Sequence, residues 1–246
     1  MRLAALGVSG ERGEAVPGGA SPLLDAAERC LQVAESSADQ VGGLVLVNRQ
    51  GASTAFEAAL DLGFGGQALT LTLHAGAEGL AQSLILGNSL LESASLERVL
   101  ILLDEMDGTA SALLLESDGP SLAAQSFGHP GESGVGEDDP TRRLLPLSRQ
   151  LLAAAGWAAS DVDLLLTDPP STGCKKLLGL TRSVEAEGAG SLLRRIAAGP
   201  LADRLALPAR VLLMGWSSGR AFAGVAMALT GVRIAPVERW MLETAR

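Results

Sequence analysis

Apolar residues in this chain fall into two recurring patterns, and each pattern predicts one type of secondary structure. Short uninterrupted apolar runs bounded by Gly, Ser or charged residues are typical of strands that are covered on both faces. Longer stretches with apolar residues at every third or fourth position predict helices. The predicted strands are 3–8, 43–47, 68–73, 99–103, 110–116, 162–166, 211–214 and 222–229, and the predicted helices are roughly 21–36, 51–62, 77–93, 141–155 and 185–198. This order of elements indicates an α/β fold.

The same order of elements occurs twice along the chain. Residues 98–116 (RVLILLDEMDGTASALLLE) and 210–229 (RVLLMGWSSGRAFAGVAMAL) both consist of an apolar run, a polar glycine turn and a second apolar run, and they begin 112 positions apart. Upstream, residues 23–47 and 144–167 both have the pattern of a helix, a short acidic turn and a buried strand, with starts 121 positions apart. A self-match at so long a period predicts a duplicated α/β unit.

A polar segment separates the two copies. The sequence GHPGESGVGEDDPT is rich in Gly, Pro and acidic residues, which is typical of a connection between structured units. Duplicated α/β units of this small size usually share one core. We therefore expect a single domain over 1–246, with pseudo-symmetric halves at about 1–118 and 141–246 and a linker over 119–140.

Composition and charge exclude several classes of protein. The chain of 246 residues is 47% hydrophobic, which is ample for a packed core. Gly, Ser or a charged residue interrupts every apolar run well before the roughly 20 residues that a membrane span requires, and the N-terminus lacks a secretory signal pattern. The net charge is −9 and the longest basic block is Lys175–Lys176, so no nucleic-acid partner is expected. We expect a cytoplasmic protein.

The few cysteine and histidine residues give no pattern for a disulfide framework or a metal site. Cys30 lies on the apolar side of a predicted helix and is expected to be buried. Cys174 precedes Lys175–Lys176, whose positive charges would favour its thiolate. Two histidines and two cysteines at wide spacing do not form a metal-ligand set. No dinucleotide-binding or phosphate-binding glycine motif is present, so neither a cofactor nor a metal is expected.

Three stretches resemble the thiolase superfamily, and within it β-ketoacyl-acyl carrier protein synthase III. Residues 68–102 (ALTLTLHAGAEGLAQSLILGNSLLESASLERVLIL) are similar to the family's nucleophile strand, small-residue turn and buried helix. Residues 159–171 (ASDVDLLLTDPPS) are similar to its histidine-bearing strand, and 210–229 to its closing strand, glycine-rich loop and final strand. The resemblance implies a thiolase-like, five-layer αβαβα fold with two pseudo-symmetric halves and a Cys-His-Asn catalytic set.

The three catalytic residues are absent from the positions that the resemblance implies. The nucleophilic cysteine falls on Ala77, which has no nucleophile. The first catalytic histidine falls on Asp168, whose carboxylate would repel a developing oxyanion rather than stabilise it. The asparagine falls near Ala186, in a stretch without asparagine. The family's long excursion after the first strand is also reduced to residues 9–20, so the chain resembles a truncated member.

Other residues of the implied pocket allow more than one interpretation. They are His74, Glu78, Ser217, Ser218 and Gly219. His74 is interpreted as a strand-end or subunit-contact histidine, and Glu78 either as a helix cap or as one of a carboxylate pair with Asp168. The GWSSG turn precedes a strand rather than a helix, unlike the elbow that carries a nucleophilic serine.

Loss of the catalytic set implies a non-catalytic ketosynthase-like subunit in fatty acid, polyketide or other natural-product biosynthesis. It would form a homodimer, or a heterodimer with a full-length active ketosynthase, and acyl carrier protein or acyl-CoA would be its further partners. One alternative is an acyltransferase or thioester hydrolase with rearranged residues drawn from His74, Glu78, Asp168 and Cys174. Another is a catalytically dead homodimer with a binding or scaffolding role.

The predicted contact surface is strand 68–73 together with the helix that follows Ala77. The strand carries no charge between Gln67 and His74, and an unprotected apolar edge strand invites aggregation unless another chain covers it. We therefore expect an obligate dimer through this strand, with more than about 2,000 Å² buried, as in permanent interfaces.

Overall fold

The computed structural model of the chain describes residues 1–9, 21–48, 53–93, 96–104, 108–119, 122–128, 140–168, 178, 183–185, 193, 208–217 and 221–235. The helices are α1 (Pro22–Ala34), α2 (Ala55–Asp61), α3 (Gly79–Ser93) and α4 (Pro140–Ala155). The strands are β1 (Arg2–Val8), β2 (Gly43–Asn48), β3 (Leu69–His74), β4 (Arg98–Asp104), β5 (Ala110–Glu116), β6 (Ala124–Gly128), β7 (Leu164–Asp168), β8 (Ser183–Glu185), β9 (Ala209–Ser217), β10 (Ala221–Leu229) and β11 (Arg233–Ile234).

The strands form two sheets with the same internal order. The first sheet runs β11-β1-β5-β4-β2-β3 and the second runs β6-β10-β9-β7-β8. In the first sheet Gly43 pairs with Val99, and in the second Leu164 pairs with Val211. These two pairs are related by the same separations, 121 and 112 positions, that relate the sequence copies. The internal repeat is therefore reproduced in the strand register, and Val99 corresponds to Val211 as predicted.

Five layers follow from the way the apolar side chains cluster. On the outer face of the first sheet, α1 and α2 pack against Leu44 and Leu46 of β2. Between the sheets, Leu84 of α3 belongs to a cluster that draws on both of them. On the outer face of the second sheet, α4 packs against Leu212 and Met214 of β9. Because side chains alternate along a strand, the continuous apolar runs of the sequence cover both faces of each sheet. The five-layer order is confirmed.

The structure differs from the predicted elements at several places. The helix predicted to begin at 77 begins at Gly79, because residues 76–78 form the turn that connects it to β3. Within the predicted linker, residues 124–128 form β6, which pairs antiparallel with β10. β6 was not predicted, because its residues alternate between buried and exposed instead of forming an apolar run. Most of the predicted helix 185–198, including Ala186, lies outside the described residues.

Helix lengths bear on the predicted absence of a membrane span. In the part of the chain that the structure describes, no helix is both long enough and apolar enough to cross a membrane.

Candidate functional site

The turn between β3 and α3 holds the position that the resemblance assigns to a nucleophile. β3 ends at His74, and the chain turns through Gly76, Ala77 and Glu78 before α3 starts at Gly79. The amide of Gly79 donates a 3.1 Å hydrogen bond to the carbonyl oxygen of Gly76, which closes the turn. A Cβ atom at Gly79 would lie 2.7 Å from Cγ1 of Val47, so α3 reaches β2 only because this residue is glycine.

The second half of the molecule packs directly against this turn. A Cβ atom at Gly215 of β9 would lie 2.2 Å from the carbonyl oxygen of Ala77 and 2.5 Å from Cα of Glu78. No side chain fits in that space, because real Cβ contacts are longer than 3.0 Å. Gly215 therefore allows the turn of one half to touch the central strand of the other. The sequence pattern contained this glycine, but no local signal indicated what it would contact.

Because side chains alternate along β9, Ser217 faces the same turn that Gly215 contacts. Trp216, like Met214, packs on the α4 face of β9. Ser217 therefore points towards α3. The backbone amide of Ala77 donates a 3.0 Å hydrogen bond to Oγ of Ser217. Oγ of Ser217 in turn donates to Oε2 of Glu78.

The carboxyl group of Glu78 completes a closed network around the turn. Only 3% of Glu78 is exposed to solvent. Besides the hydroxyl of Ser217, it accepts a 3.3 Å hydrogen bond from the amide of Gly76. The N–H groups of Gly76 and Ala77 are thus both bonded to side chains of this chain. Glu78 occupies the N-cap position of α3, since its carbonyl oxygen accepts a 3.0 Å hydrogen bond from the amide of Gln82. Its side chain is buried rather than solvated, and it bonds within the turn.

Two backbone N–H groups converging at a turn are the usual means of stabilising an oxyanion, provided that they point at empty space. In this turn the amides of Gly76 and Ala77 already have partners. A Cβ atom at Gly76 would lie 2.1 Å from Oγ of Ser217, so the space above the turn is filled. The geometry leaves no room for a substrate carbonyl at these two donors.

Asp168 lies at the same end of the molecule. It is the last residue of β7, is 6% exposed, and is paired in register with Gly215. Since Gly215 contacts the turn, Asp168 is one strand away from it. The structure thus brings Ala77, Glu78, Asp168 and Ser217 into one region.

Of the other predicted pocket residues, His74 is the one that the structure describes, and it lies away from this network. His74 is exposed at the end of β3. Thr72, on the same face of the strand, accepts a 2.8 Å hydrogen bond from the amide of Ala55 in α2, so the side chain of His74 is on the outer face of the sheet, away from α3. Ser218, Gly219 and Cys174 lie outside the described residues. Cys30 is buried against β1, and burial raises the pKa of its thiol to about 12. Among the described residues no cluster of three or more metal-ligating side chains occurs.

The outer edge of β3 is the second feature of this region. β3 is the last strand of the first sheet. Phe56 and Leu60 of α2, the helix packed beside it, are each 61% exposed, and Leu69 at the start of β3 is 41% exposed. The start of α2 is well ordered, because Thr54 and Glu57 form a reciprocal capping box there. A well-formed helix thus presents large apolar side chains next to an open strand edge.

Comparison with solved structures identifies the architecture. The chain superposes on a β-ketoacyl-[acyl carrier protein] synthase III from Thermus thermophilus with a TM-score of 0.75 and 15% identity, covering 94% of this chain and 100% of that one. A priming β-ketosynthase of a polyketide biosynthetic pathway superposes with a TM-score of 0.74 and 18% identity, covering 93% of this chain and 96% of that one. A 3-oxoacyl-(acyl carrier protein) synthase III from Pseudomonas aeruginosa superposes with a TM-score of 0.72 and 19% identity, covering 94% of this chain and 98% of that one. No family model and no curated protein sequence matches. The thiolase-like fold predicted from the sequence is confirmed.

Proposed function

We propose that the chain is a cytoplasmic, non-catalytic ketosynthase-like subunit, a truncated relative of synthase III without the Cys-His-Asn set. Through the edge of β3 it pairs with a catalytically complete ketosynthase of the same fold, in acyl-thioester-dependent biosynthesis. The observation that carries this proposal is the closed turn. Ala77 has no nucleophile, and its N–H group is bonded to Ser217, which is bonded in turn to the buried carboxyl group of Glu78.

The closed turn argues against acyl transfer by this chain alone. Covalent catalysis needs a nucleophile, a base within hydrogen-bond reach and a stabilised oxyanion. At this turn the nucleophile is replaced by a methyl group and the oxyanion donors are occupied. Carboxyl groups at Glu78 and Asp168 would oppose the development of negative charge on a thioester oxygen.

The open edge supports a structural role in a larger assembly. An edge strand without protective charges is stable in solution only when another strand covers it. Between Gln67 and His74 the strand has no charged residue, and Phe56 and Leu60 extend the apolar surface onto α2. The solved structures of similar architecture include ketosynthases and 3-oxoacyl-(acyl carrier protein) synthases. A chain of the same fold therefore has the shape to continue the first sheet across a subunit boundary.

Intact-mass spectrometry after incubation with acetyl-CoA, malonyl-CoA and an acyl-acyl carrier protein tests the absence of covalent chemistry. We expect an unchanged mass for the chain, and no release of free thiol above the rate in buffer. A stable acyl adduct on any residue, Cys174 included, would contradict the proposal.

One observation favours a second candidate, an acyltransferase or hydrolase with rearranged residues. A serine hydroxyl that donates to a buried carboxyl group, as Ser217 does to Glu78, is the arrangement in which a base activates a nucleophile. In that case Ser217→Ala would abolish any consumption of thioester, whereas Cys174→Ala would not. The first proposal instead expects no consumption by either variant or by the unmodified chain.

A further inference from the structure

The charged residues of α2, β3 and α3 all have the same sign. From Gln50 to Glu97 the sequence contains no lysine and no arginine. This stretch includes α2, β3 and α3. On α2, the exposed residues besides Phe56 and Leu60 are Glu57 and Asp61. The surface formed by α2 and β3 is therefore apolar and acidic, and neither element carries a lysine or an arginine.

Both acids of α2 present their charge to solvent. Hydrogen bonds from the backbone and side chain of Thr54 lower the pKa of Glu57, so it remains ionised at neutral pH. Asp61 is the last residue of α2, where the helix dipole is unfavourable for an acid. Among the described residues Asp61 has no ion pair. Neither the helix dipole nor an ion pair in the described residues therefore offsets the charge of Asp61.

Pairing of β3 with a second copy of this chain would bring like charges together. A two-fold axis perpendicular to the sheet makes the two strands antiparallel and leaves both α2 helices on the same face, side by side. α2 packs beside β3, where the amide of Ala55 bonds to Thr72, so both helices would lie near the axis, and charges at such short range are only partly screened at low salt. Glu57 and Asp61 of one copy would then repel those of the other.

We propose that the edge formed by β3 and α2 selects a different chain of the same fold, one whose matching helix carries lysine or arginine, over a second copy of itself. This inference rests on the proposed function and names its partner more closely. Phe56, Leu60 and the backbone of β3 supply the affinity, which is common to both pairings. Glu57 and Asp61 supply the discrimination, since like charges across an interface disfavour the wrong partner.

A charge-altered copy of this chain serves as the probe for a basic partner. The variant carries Glu57→Gln and Asp61→Lys. Glutamine at position 57 retains the capping box, and lysine at position 61 suits the C-terminus of a helix. Labelled unmodified chain and labelled variant are mixed, and the dissociation constants of mixed and like dimers are measured by fluorescence-detected sedimentation. In about 0.05 M NaCl we expect the mixed dimer to be about 10-fold tighter than either like dimer.

Salt provides the second readout. In about 0.5 M NaCl the charges are largely screened, so the preference for the mixed dimer is expected to fall to about 2-fold or less. Self-association of the unmodified chain is expected to become stronger over the same range, because its repulsion is removed.

The matched control changes the net charge by the same amount at the opposite edge of the first sheet. It carries Glu28→Lys and Glu35→Gln. Glu28 lies on α1 in a groove beside Ala235, and Glu35 pairs with Arg233 of β11. We expect no preference between this control and the unmodified chain. An equal preference would show an effect of net charge alone and would overturn the inference.

The remaining outcomes separate this inference from the proposed function. A tight homodimer whose stability does not depend on salt would overturn the charge selection, while the subunit role would stand. Absence of association in every mixture at both salt concentrations would overturn both.

Discussion

The turn at the end of β3 and the outer edge of the same strand differ in how their polar groups are satisfied. At the turn, the N–H groups of Gly76 and Ala77 are bonded to Glu78 and Ser217. At the edge, β3 pairs as a strand with β2 alone in the described part of the chain, and Phe56 and Leu60 of α2 are largely exposed. The sequence resemblance implies a substrate at the first place, and the proposed function requires a partner at the second.

This difference bears on the proposed function. A site that binds substrates keeps donors unpaired until the substrate arrives, whereas a site whose donors are all paired contributes to stability alone. An exposed apolar surface on a folded protein marks an interaction site. Closure of the turn and exposure of the edge together favour a chain that acts through association.

The largest effect is expected at the edge. Leu71→Lys places a charge on β3 in the proposed interface, from which water would be excluded, at an expected cost of several kcal/mol. Association should be lost at about 0.5 M NaCl, where repulsion between acidic residues is screened. Phe127→Lys is the matched control, because Phe127 is 70% exposed on β6, the edge strand of the other sheet. Sedimentation velocity measures the outcome, and a variant at position 71 that dimerises like the control would contradict the proposed surface.

At the turn, Gly215→Ala should lower the free energy of unfolding by about 3 kcal/mol, since the added methyl group overlaps the carbonyl oxygen of Ala77. Gly66→Ala is the control, because nothing lies within 4 Å of a Cβ atom there. Urea unfolding followed by circular dichroism compares the two. Equal stability of both variants would mean that the two halves do not meet at this turn.

Ser217→Ala is expected to have a smaller effect, about 1–2 kcal/mol, because it leaves the N–H of Ala77 and an oxygen of Glu78 without partners. Dimerisation should be unchanged, which separates the turn from the edge. Ser93→Ala, at an exposed serine near the end of α3, should cost less than about 0.5 kcal/mol in the same urea experiment. If Ser217→Ala also weakened association, the turn and the edge would not be independent.

Much of the fold could be predicted because the signal was long and repeated. The runs that became β4 and β9 begin 112 residues apart, and the strand register reproduces that separation. The contact between Ser217 and Glu78 could not be predicted, since it joins residues 139 positions apart through side-chain hydrogen bonds. β6 was missed for a different reason: it is short, lies at an edge and has one buried face. The alanine at position 77 could be recognised from the sequence, but the hydrogen bonds that close the turn around it could not be predicted.

The smallest effect is expected when the missing nucleophile is restored. Ala77→Cys changes a half-buried methyl group into a thiol and should alter the free energy of unfolding by less than about 0.5 kcal/mol. Condensation of acetyl-CoA with a malonyl thioester should remain at the background rate, because the N–H of residue 77 stays bonded to Ser217 and Asp168 still stands where the resemblance implies a histidine. Alkylation with iodoacetamide, followed by mass spectrometry, checks that the new thiol can be reached. A variant whose thiol reacts and which then forms the condensation product would show that the turn is open to substrate, and the contrast between a closed turn and an open edge would no longer hold.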